Sequence, residues 1–361
     1  MLRKFSVLAI SVACSTCALA QDSTKKSNFV ISGSADVYAR YNFNNPKITD
    51  NTDPNWTSFN NKTSFTNTHN TFALGMASIK VEHSIGKVGM VADLGFGKRA
   101  EEFSYNDANT QLAVKQLYLT YAATDKIKFT IGSWGTHVGY ELVDAYLNRN
   151  YSMSYMFSFG PFFHTGLKAD INLGGTSAVM VGVTNPTDFK SASTMPKMII
   201  GQFSTGTKDG KLKLFVNYQG GKFLEETKLQ QGDVVATYAV SSKFSLGYNG
   251  TLQSRKVKDG VGKWGDANSW WGSALYLNLD PVSWFGLTLR TEYVDDHKSV
   301  VGINTKIIAP TLSANFKIDN LTIIPEFRFD SAKDKIWLKS SSDLTYTKTT
   351  GSFILAATYH F

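Results

Sequence analysis

Apolar and polar side chains alternate in this chain over stretches that are longer than most strands of a soluble sheet. In residues 31–43, odd positions are apolar or small, whereas even positions carry Asp36, Arg40 and Asn42. Because successive side chains of a strand point to opposite faces, this strand has one apolar and one polar face. Strands of globular proteins average ~5–6 residues, whereas a tilted strand needs ~9–11 residues to cross a membrane. The pattern therefore predicts membrane-spanning strands.

About sixteen such segments follow one another, and the connections between them alternate in length. We predict short turns near residues 84–87, 123–125, 173–175, 206–210, 241–243, 280–283 and 319–320. Long polar loops are predicted at residues 44–70, 98–111, 135–155, 185–196, 220–233, 255–268, 295–304 and 331–351. Short periplasmic turns and long extracellular loops typify outer-membrane barrels, whereas a soluble sandwich gives no reason for this alternation. The predicted fold class is all-β: a transmembrane antiparallel up-and-down β-barrel of about sixteen strands.

The composition agrees with this fold class. Charged residues make up 18% of the chain, below the ~25% that is usual for soluble proteins. After residue 20, no stretch approaches the ~18 consecutive apolar residues of a membrane-spanning helix, which excludes a helical membrane protein. The formal net charge of +8 is spread along the chain without a basic block, so we expect no nucleic-acid partner.

The first twenty residues have the features of a secretory signal peptide. Arg3 and Lys4 precede an apolar segment at residues 5–13, and Ala18-Leu19-Ala20 provides small residues at a cleavage site. We therefore expect a signal peptide at residues 1–20, a short periplasmic segment at 21–28 and a barrel at 29–361. Both cysteines lie within the first twenty residues, so the mature chain is expected to lack a cysteine site.

The C-terminal strand ends on aromatic residues. Phe353, Tyr359 and Phe361 share one face of this strand, and this pattern resembles the terminal-aromatic insertion signal of outer-membrane barrels. Outward aromatic residues would also contribute to an interfacial girdle. Pro325 lies in the middle of a predicted strand, where it removes a ladder hydrogen bond, so we expect a bulge or distortion there.

Several runs are similar to the OmpL-like family of β-barrel porins, which occurs in Gram-negative bacteria. They are QLYLTY at residues 116–121, IGSWGTHVGYE at 131–141, NRNYSMS at 148–154, PFFHTG at 161–166 and PEFRFD at 325–330. The motifs are concentrated between residues 115 and 172, and elsewhere the similarity is one of pattern. The resemblance implies a barrel that acts as a pore, without defining its solutes.

The loop at residues 135–155 is the candidate constriction. In general porins, the loop after the fifth strand folds into the lumen, and here it carries Glu141, Asp144 and Arg149. The predicted lumen-facing charges are more basic than acidic: Arg40, Lys115, Lys128, Lys168, Asp170, Lys213, Arg290, Glu292, Glu326 and Arg328. An acidic loop facing a basic wall would create a transverse field that filters solutes by charge. Alternatively, the loop charges are solvated, and the wall charges pair across neighbouring strands.

These features favour a porin that passes small hydrophilic solutes or ions by passive diffusion. The alternatives are a surface-binding or adhesion barrel acting through its long loops, especially 44–70, and an outer-membrane hydrolase. Asp295 and His297 could face the same way, but no second acidic pair is placed opposite, so we expect no catalysis. The histidines have no spacing suited to a metal, and no glycine-rich phosphate loop follows a strand, so we expect no metal site and no cofactor. The expected location is the cell outer membrane. The expected partners are membrane lipid and lipopolysaccharide, the barrel-assembly machinery, periplasmic chaperones, and further copies of the chain, as in trimeric general porins.

Overall fold

The computed structural model describes residues 27–46, 59–339 and 345–361, and its strands form a closed antiparallel barrel. The sixteen barrel strands are β1 (Ser27–Asn42), β2 (Thr71–Ile85), β3 (Val88–Phe96), β4 (Val114–Ala122), β5 (Ile127–Gly135), β6 (Phe163–Gly174), β7 (Ser177–Thr184), β8 (Met198–Gly206), β9 (Leu212–Leu224), β10 (Thr227–Ala239), β11 (Phe244–Val257), β12 (Asn268–Val282), β13 (Phe285–Asp295), β14 (Lys306–Ile318), β15 (Leu321–Ala332) and β18 (Thr349–His360). Two short strands, β16 (Trp337–Leu338) and β17 (Tyr346–Thr347), pair within the last loop. The predicted fold class is confirmed.

In the described parts of the loops there are four short helical segments. They are the α-helices α1 (Lys98–Phe103) and α2 (Tyr155–Phe159) and the 3-10 helices Asn109–Ala113 and Ala145–Leu147. Among the described residues, no helix has the length and apolarity to cross a membrane.

The alternation of side chains places polar groups inside the barrel. In β1, Asp36 and Arg40 point inward and are buried, whereas Val37 and Tyr41 are 45% and 39% exposed on the outer face. A lipid-facing wall cannot leave backbone N–H and C=O groups unpaired, so the ladder must close on itself. Closure is made by β1 and β18, with Val37 opposite Ala357.

The C-terminal residue takes part in this closure. The amide of Phe361 donates to the carbonyl of Gly33 at 3.0 Å, and the amide of Gly33 donates back at 3.1 Å. Phe361 and Tyr359 are exposed on the outer face, and the ring centroid of Phe353 lies 4.8 Å from that of Phe327. The expected signal peptide at residues 1–20 and residues 21–26 of the expected periplasmic segment lie outside the described residues.

The predicted loop at residues 220–233 is wrong. Strands β9 and β10 continue through this region, and only residues 225–226 connect them. Polar residues suggested a loop, but Gln231 and Asp233 are inward-facing strand residues. Inward-facing residues of a polar lumen are themselves polar. A strand whose outward-facing residues are only weakly apolar therefore has a sequence that resembles that of a loop.

The expected distortion at Pro325 takes a different form. β14 and β15 keep one register from Ile308 opposite Ser331 to Phe316 opposite Ile323, so there is no bulge. The ladder instead has two gaps, next to Pro325 and next to Pro310. Proline lacks an N–H donor, but the inward and outward alternation on either side fixes the register.

Candidate pore constriction

The connection between β5 and β6, residues 136–162, lies inside the barrel and is called the inner loop below. It extends beyond the predicted boundary at residue 155, because α2 and residues 160–162 precede β6. Tyr151 and Met153 are 0% exposed. Backbone amides buried in this way need hydrogen-bond acceptors, and inward-facing carboxylates of the wall provide several of them.

Glu326 of β15 holds the middle of the inner loop. Its carboxylate accepts hydrogen bonds from the amides of Tyr151 and Ser152 at 2.7 and 3.1 Å. The hydroxyl of Tyr151 reaches the opposite side of the closure and donates to Asp36 of β1 at 2.6 Å. Arg99 of α1 also lies 3.5 Å from Asp36. The inner loop is therefore fixed to both sides of the closing seam.

Arg290 and Glu141 form a buried ion pair between the wall and the inner loop. Their atoms Nη1 and Oε1 are 2.6 Å apart, and both side chains are almost fully buried. Arg290 also lies 2.9 Å from Glu292, whose carboxylate accepts the amide of Tyr155 at 2.7 Å. Removing one partner of a buried pair leaves an uncompensated charge and typically costs about 3–5 kcal/mol. These charges therefore hold the inner loop in position.

Arg328 extends this cluster towards the extracellular side. It pairs with Asp330 at 2.9 Å and donates to the carbonyl of Met153 at 2.8 Å. The hydroxyl of Tyr155 donates to the same Asp330 at 2.8 Å.

Asp144 and Arg149, the other predicted loop charges, are also bound to the wall. Asp144 lies 2.6 Å from Lys115 of β4, which also contacts Asp93 at 3.1 Å. Arg149 makes two 2.9 Å hydrogen bonds to Asp280 of β12. The loop charges thus contact wall charges directly rather than facing them across open water.

The remaining predicted lumen residues lie apart from the inner loop's central cluster. Arg40 donates to the carbonyls of Phe59, Thr68 and Asn60 in the first loop. Lys128 and Lys168 approach Asp170 at 4.0 and 3.2 Å. Lys213 lies at the periplasmic end of β9 and is exposed.

A row of inward amides on β8–β11 was missed by sequence reasoning. Gln202 donates to Asn217 at 2.7 Å, and both Asn217 and Asn249 donate to Asp233, at 2.8 and 2.6 Å. Asp233 also accepts the amide of Gly139 in the inner loop at 3.1 Å. The period-two pattern places Asn217 and Asn249 on the polar faces of their strands, but the incorrect loop assignment at 220–233 hid Asp233, which connects them.

Among the carboxyl groups of the external loops, that of Asp188 is buried and that of Glu102 is half-buried. Asp188, in the loop between β7 and β8, accepts the amides of Phe162 and Phe163 and the hydroxyl of Tyr105. Burial raises the pKa of Asp188 to about 7, although these hydrogen bonds oppose the shift. Burial also raises the pKa of Glu102, which accepts the amide of Phe65 at 2.6 Å. Burial therefore disfavours the ionised form of both carboxyl groups.

Asp295 and His297 do lie together, with Oδ1 and Nδ1 2.6 Å apart, and Lys306 contacts the same carboxylate at 2.9 Å. Across residues 27–46, 59–339 and 345–361, no three His, Cys, Asp or Glu side chains are grouped so that they could hold a metal ion.

The chain matches, over residues 28–361, the model of a family described as "Putative beta-barrel porin-2, OmpL-like". The chain belongs to this family. The match is wider than the region that carries the recognisable motifs, and it confirms the resemblance. No curated protein sequence is significantly similar to this porin.

Solved porins have the same fold. The outer membrane channel DcaP of Acinetobacter baumannii has 13% identity and a TM-score of 0.62, covering 95% of this chain and 100% of that one. The anion-selective porin from Comamonas acidovorans has 12% identity and a TM-score of 0.59, covering 93% and 100%. The trimer form of OmpT of Vibrio cholerae has 11% identity and a TM-score of 0.58, covering 93% and 99%. The family and these neighbours imply an outer-membrane location.

Proposed function

We propose that this porin is a water-filled channel through which small hydrophilic solutes and ions diffuse passively. The observation that carries the proposal is an inner loop held inside a closed, polar-lined barrel by buried ion pairs, above all Glu141 with Arg290. A narrow aqueous path with low-dielectric walls selects solutes by width and wall charge. The wall and the inner loop position charges along this path, and no chemical step is required.

The proposed channel has a weak preference for anions. Most inward-facing charges are paired, whereas Arg40 and Lys213 have no carboxylate within ion-pair distance among the described side chains. A few uncompensated cations can bias ion flow in a narrow pore. One structural neighbour, the porin from Comamonas acidovorans, is itself described as anion-selective.

We also propose that copies of this chain associate through the side of the barrel formed by β3, β4 and β5. These strands have nine residues each, whereas β9–β12 have 13 to 15. An apolar groove of about 420 Å³ crosses this outer wall and includes Val88, Leu119 and Phe129. A neighbour that forms trimers supports this assembly. We further propose that a signal peptide at residues 1–20 directs export of the chain. The barrel-assembly machinery and periplasmic chaperones then fold it into the membrane, where it contacts lipopolysaccharide.

Single-channel recording of the purified protein in a planar bilayer tests the channel. We expect stepwise conductance and a reversal potential that indicates weak anion preference across a KCl gradient. The preference should fade with salt, because the Debye length falls from ~30 Å at 0.01 M to ~3 Å at 1 M. A folded barrel without conductance steps would instead support the surface-binding alternative, and a clear cation preference would contradict the proposed wall charge.

A further inference from the structure

A cavity of about 640 Å³ opens above the inner loop, and we call it the vestibule. Its wall is formed by residues 59–67 of the loop between β1 and β2, by the loop between β3 and β4 (the second loop, residues 97–113) and by the end of the inner loop. The loop after β7, Val301 and the extracellular ends of β9–β11 complete it. A cavity of this size matches the ~300–1,000 Å³ typical of small-molecule sites.

Aromatic rings make up much of the vestibule wall. Phe159 and Phe162 come from the inner loop, Phe223 from β9 and Tyr105 from the second loop. Phe162 and Tyr105 are held edge to face, with ring centroids 6.0 Å apart. Aromatic walls bind flat apolar groups by burial and by ring contacts, so the vestibule suits a ligand with an aromatic body.

Arg255 brings a positive charge into this aromatic surface. Its Nε donates to Gln253 at 2.7 Å and its Nη1 donates to the carbonyl of Val300 at 3.2 Å, while the guanidinium lies 5.9 Å from the ring of Phe223. Within the described part of the chain, no carboxylate lies within 4.0 Å of Arg255, and Nη2 has no hydrogen-bond partner. The side chain is thus positioned by two neutral acceptors and keeps donors for a ligand.

The nearby carboxylates are already satisfied by other donors. Asp296 accepts the amides of Val300 and Ile303, at 2.7 and 2.9 Å. Glu102 and Asp188, which line the vestibule, accept the loop hydrogen bonds described above, and burial raises the pKa of both groups. None of these carboxylates forms an ion pair with Arg255, so its guanidinium keeps donors for an incoming anion.

We propose that the vestibule binds small aromatic carboxylates, with Arg255 as the group that recognises the carboxylate and the aromatic wall as the surface for the ring. The inference rests on the proposed channel function, because a site at the extracellular mouth would concentrate such solutes above the inner loop. Arginine suits this role because its planar guanidinium matches carboxylate geometry.

Equilibrium dialysis of the folded barrel in lipid nanodiscs tests the site directly, with empty nanodiscs as the blank. The probes are 2-naphthoate and its neutral analogue 2-naphthalenemethanol. We expect the wild type to bind 2-naphthoate more tightly than the alcohol. Arg255→Gln should weaken binding of 2-naphthoate about tenfold, which corresponds to about 1.4 kcal/mol, and should leave binding of the alcohol unchanged.

The matched control is Lys256→Gln, which removes the same charge from the neighbouring, outward-facing position. We expect this variant to bind 2-naphthoate within twofold of the wild type. Equal binding of acid and alcohol by the wild type would overturn the inference, whether or not the Arg255 variant folds. Unchanged affinity in Arg255→Gln would also overturn it.

Bilayer recording separates this inference from the channel proposal. Conductance without 2-naphthoate binding would refute the vestibule site and leave the channel intact. Binding without conductance would refute the channel and leave the site intact.

Discussion

At the scale of single residues, carboxylates of the barrel wall accept hydrogen bonds from the buried backbone amides of the inner loop. Glu326 accepts two amides of the inner loop, Glu292 accepts one, and Glu141 caps the amide of Ser154 within the loop. An unpaired buried N–H costs about 1–3 kcal/mol, and charged acceptors make stronger hydrogen bonds than neutral ones. The same residues thus shape the lumen and fix the loop in it.

The sequence predicts which of these side chains point inward but not what they contact. Period-two alternation is sufficient to place Arg290, Glu292, Glu326 and Arg328 on the polar face. Their partners in the inner loop are more than a hundred residues away, as in the 149 positions that separate Glu141 from Arg290. No local sequence pattern encodes such a pairing. The sequence therefore indicates charges in the loop and charges on the wall, but not which loop residue pairs with which wall residue.

Gly75 allows β2 to pass close to Asp36 and Tyr151. A Cβ atom at this position would overlap Oδ2 of Asp36 and lie 2.9 Å from the hydroxyl of Tyr151. We expect Gly75→Ala to destabilise the folded barrel by about 1–3 kcal/mol, the usual cost of overpacking. The measurement is the urea midpoint of unfolding from lipid vesicles.

Gly232→Ala is the matched control for this substitution. Gly232 also lies in a strand, but nothing lies within 4 Å of a Cβ added there. Its midpoint should stay within error of the wild type. A midpoint for Gly75→Ala that equals this control would mean that the Asp36–Tyr151 contact adjusts without cost.

Asp188 should make the stability of the barrel depend on pH. Burial raises its pKa from 3.8 to about 7, so the folded state favours the neutral acid. This contribution to stability is full below about pH 4, falls as the pH rises, and is lost above about pH 7. We expect Asp188→Asn to be more stable than the wild type at pH 8, on the order of 1–3 kcal/mol, and nearly equal at pH 4. Equal unfolding midpoints at both pH values would contradict the raised pKa.

At the scale of elements, the local sequence predicts some connections between strands better than others. The turns between strands were predicted well because short polar connections with glycine or proline follow local rules. The connection between β9 and β10 was predicted wrongly because polar lumen residues extend right to the turn. The length and polarity of a segment alone therefore do not distinguish a long strand with a polar inner face from a loop.

Releasing the middle of the inner loop should change conduction. Glu326→Gln retains a similar shape but weakens the hydrogen bonds to the amides of Tyr151 and Ser152. We expect noisier single-channel currents and a mean conductance that differs from the wild type, because the loop samples other positions. Lys213→Gln, which changes a lumen charge away from the loop, should alter selectivity without adding noise. Equally quiet currents in Glu326→Gln would mean that this carboxylate does not fix the loop.

The last strand should be sensitive to the loss of its terminal residue. Deleting Phe361 removes both hydrogen bonds to Gly33 and an aromatic ring that is 59% exposed on the outer face. We expect poor insertion and a several-fold lower yield of heat-modifiable barrel on a gel. Phe361→Tyr keeps both features and should fold normally. A normal yield from the deletion would argue against an insertion signal at this end.

At the scale of the whole molecule, the alternation of connections fixes the orientation of the barrel. Strands that cross the membrane in turn place the long loops and the two-residue connection between β9 and β10 on one side, and the turns that follow the even-numbered strands on the other. The loop at residues 258–267 and the turn at 207–211 should therefore face opposite compartments. Val261 is 88% exposed in that loop, and Lys208 is exposed in that turn, so each can be replaced by cysteine without disturbing a buried contact.

A membrane-impermeant maleimide applied to intact cells tests this orientation. Both natural cysteines, Cys14 and Cys17, lie in the expected signal peptide, so the parent chain should remain unlabelled. We expect Val261→Cys to react on intact cells and Lys208→Cys to react only after the outer membrane is permeabilised. Labelling of Lys208→Cys on intact cells would reverse the orientation, and with it the placement of the vestibule at the extracellular mouth. Labelling of the parent would mean that the first twenty residues are retained on the surface.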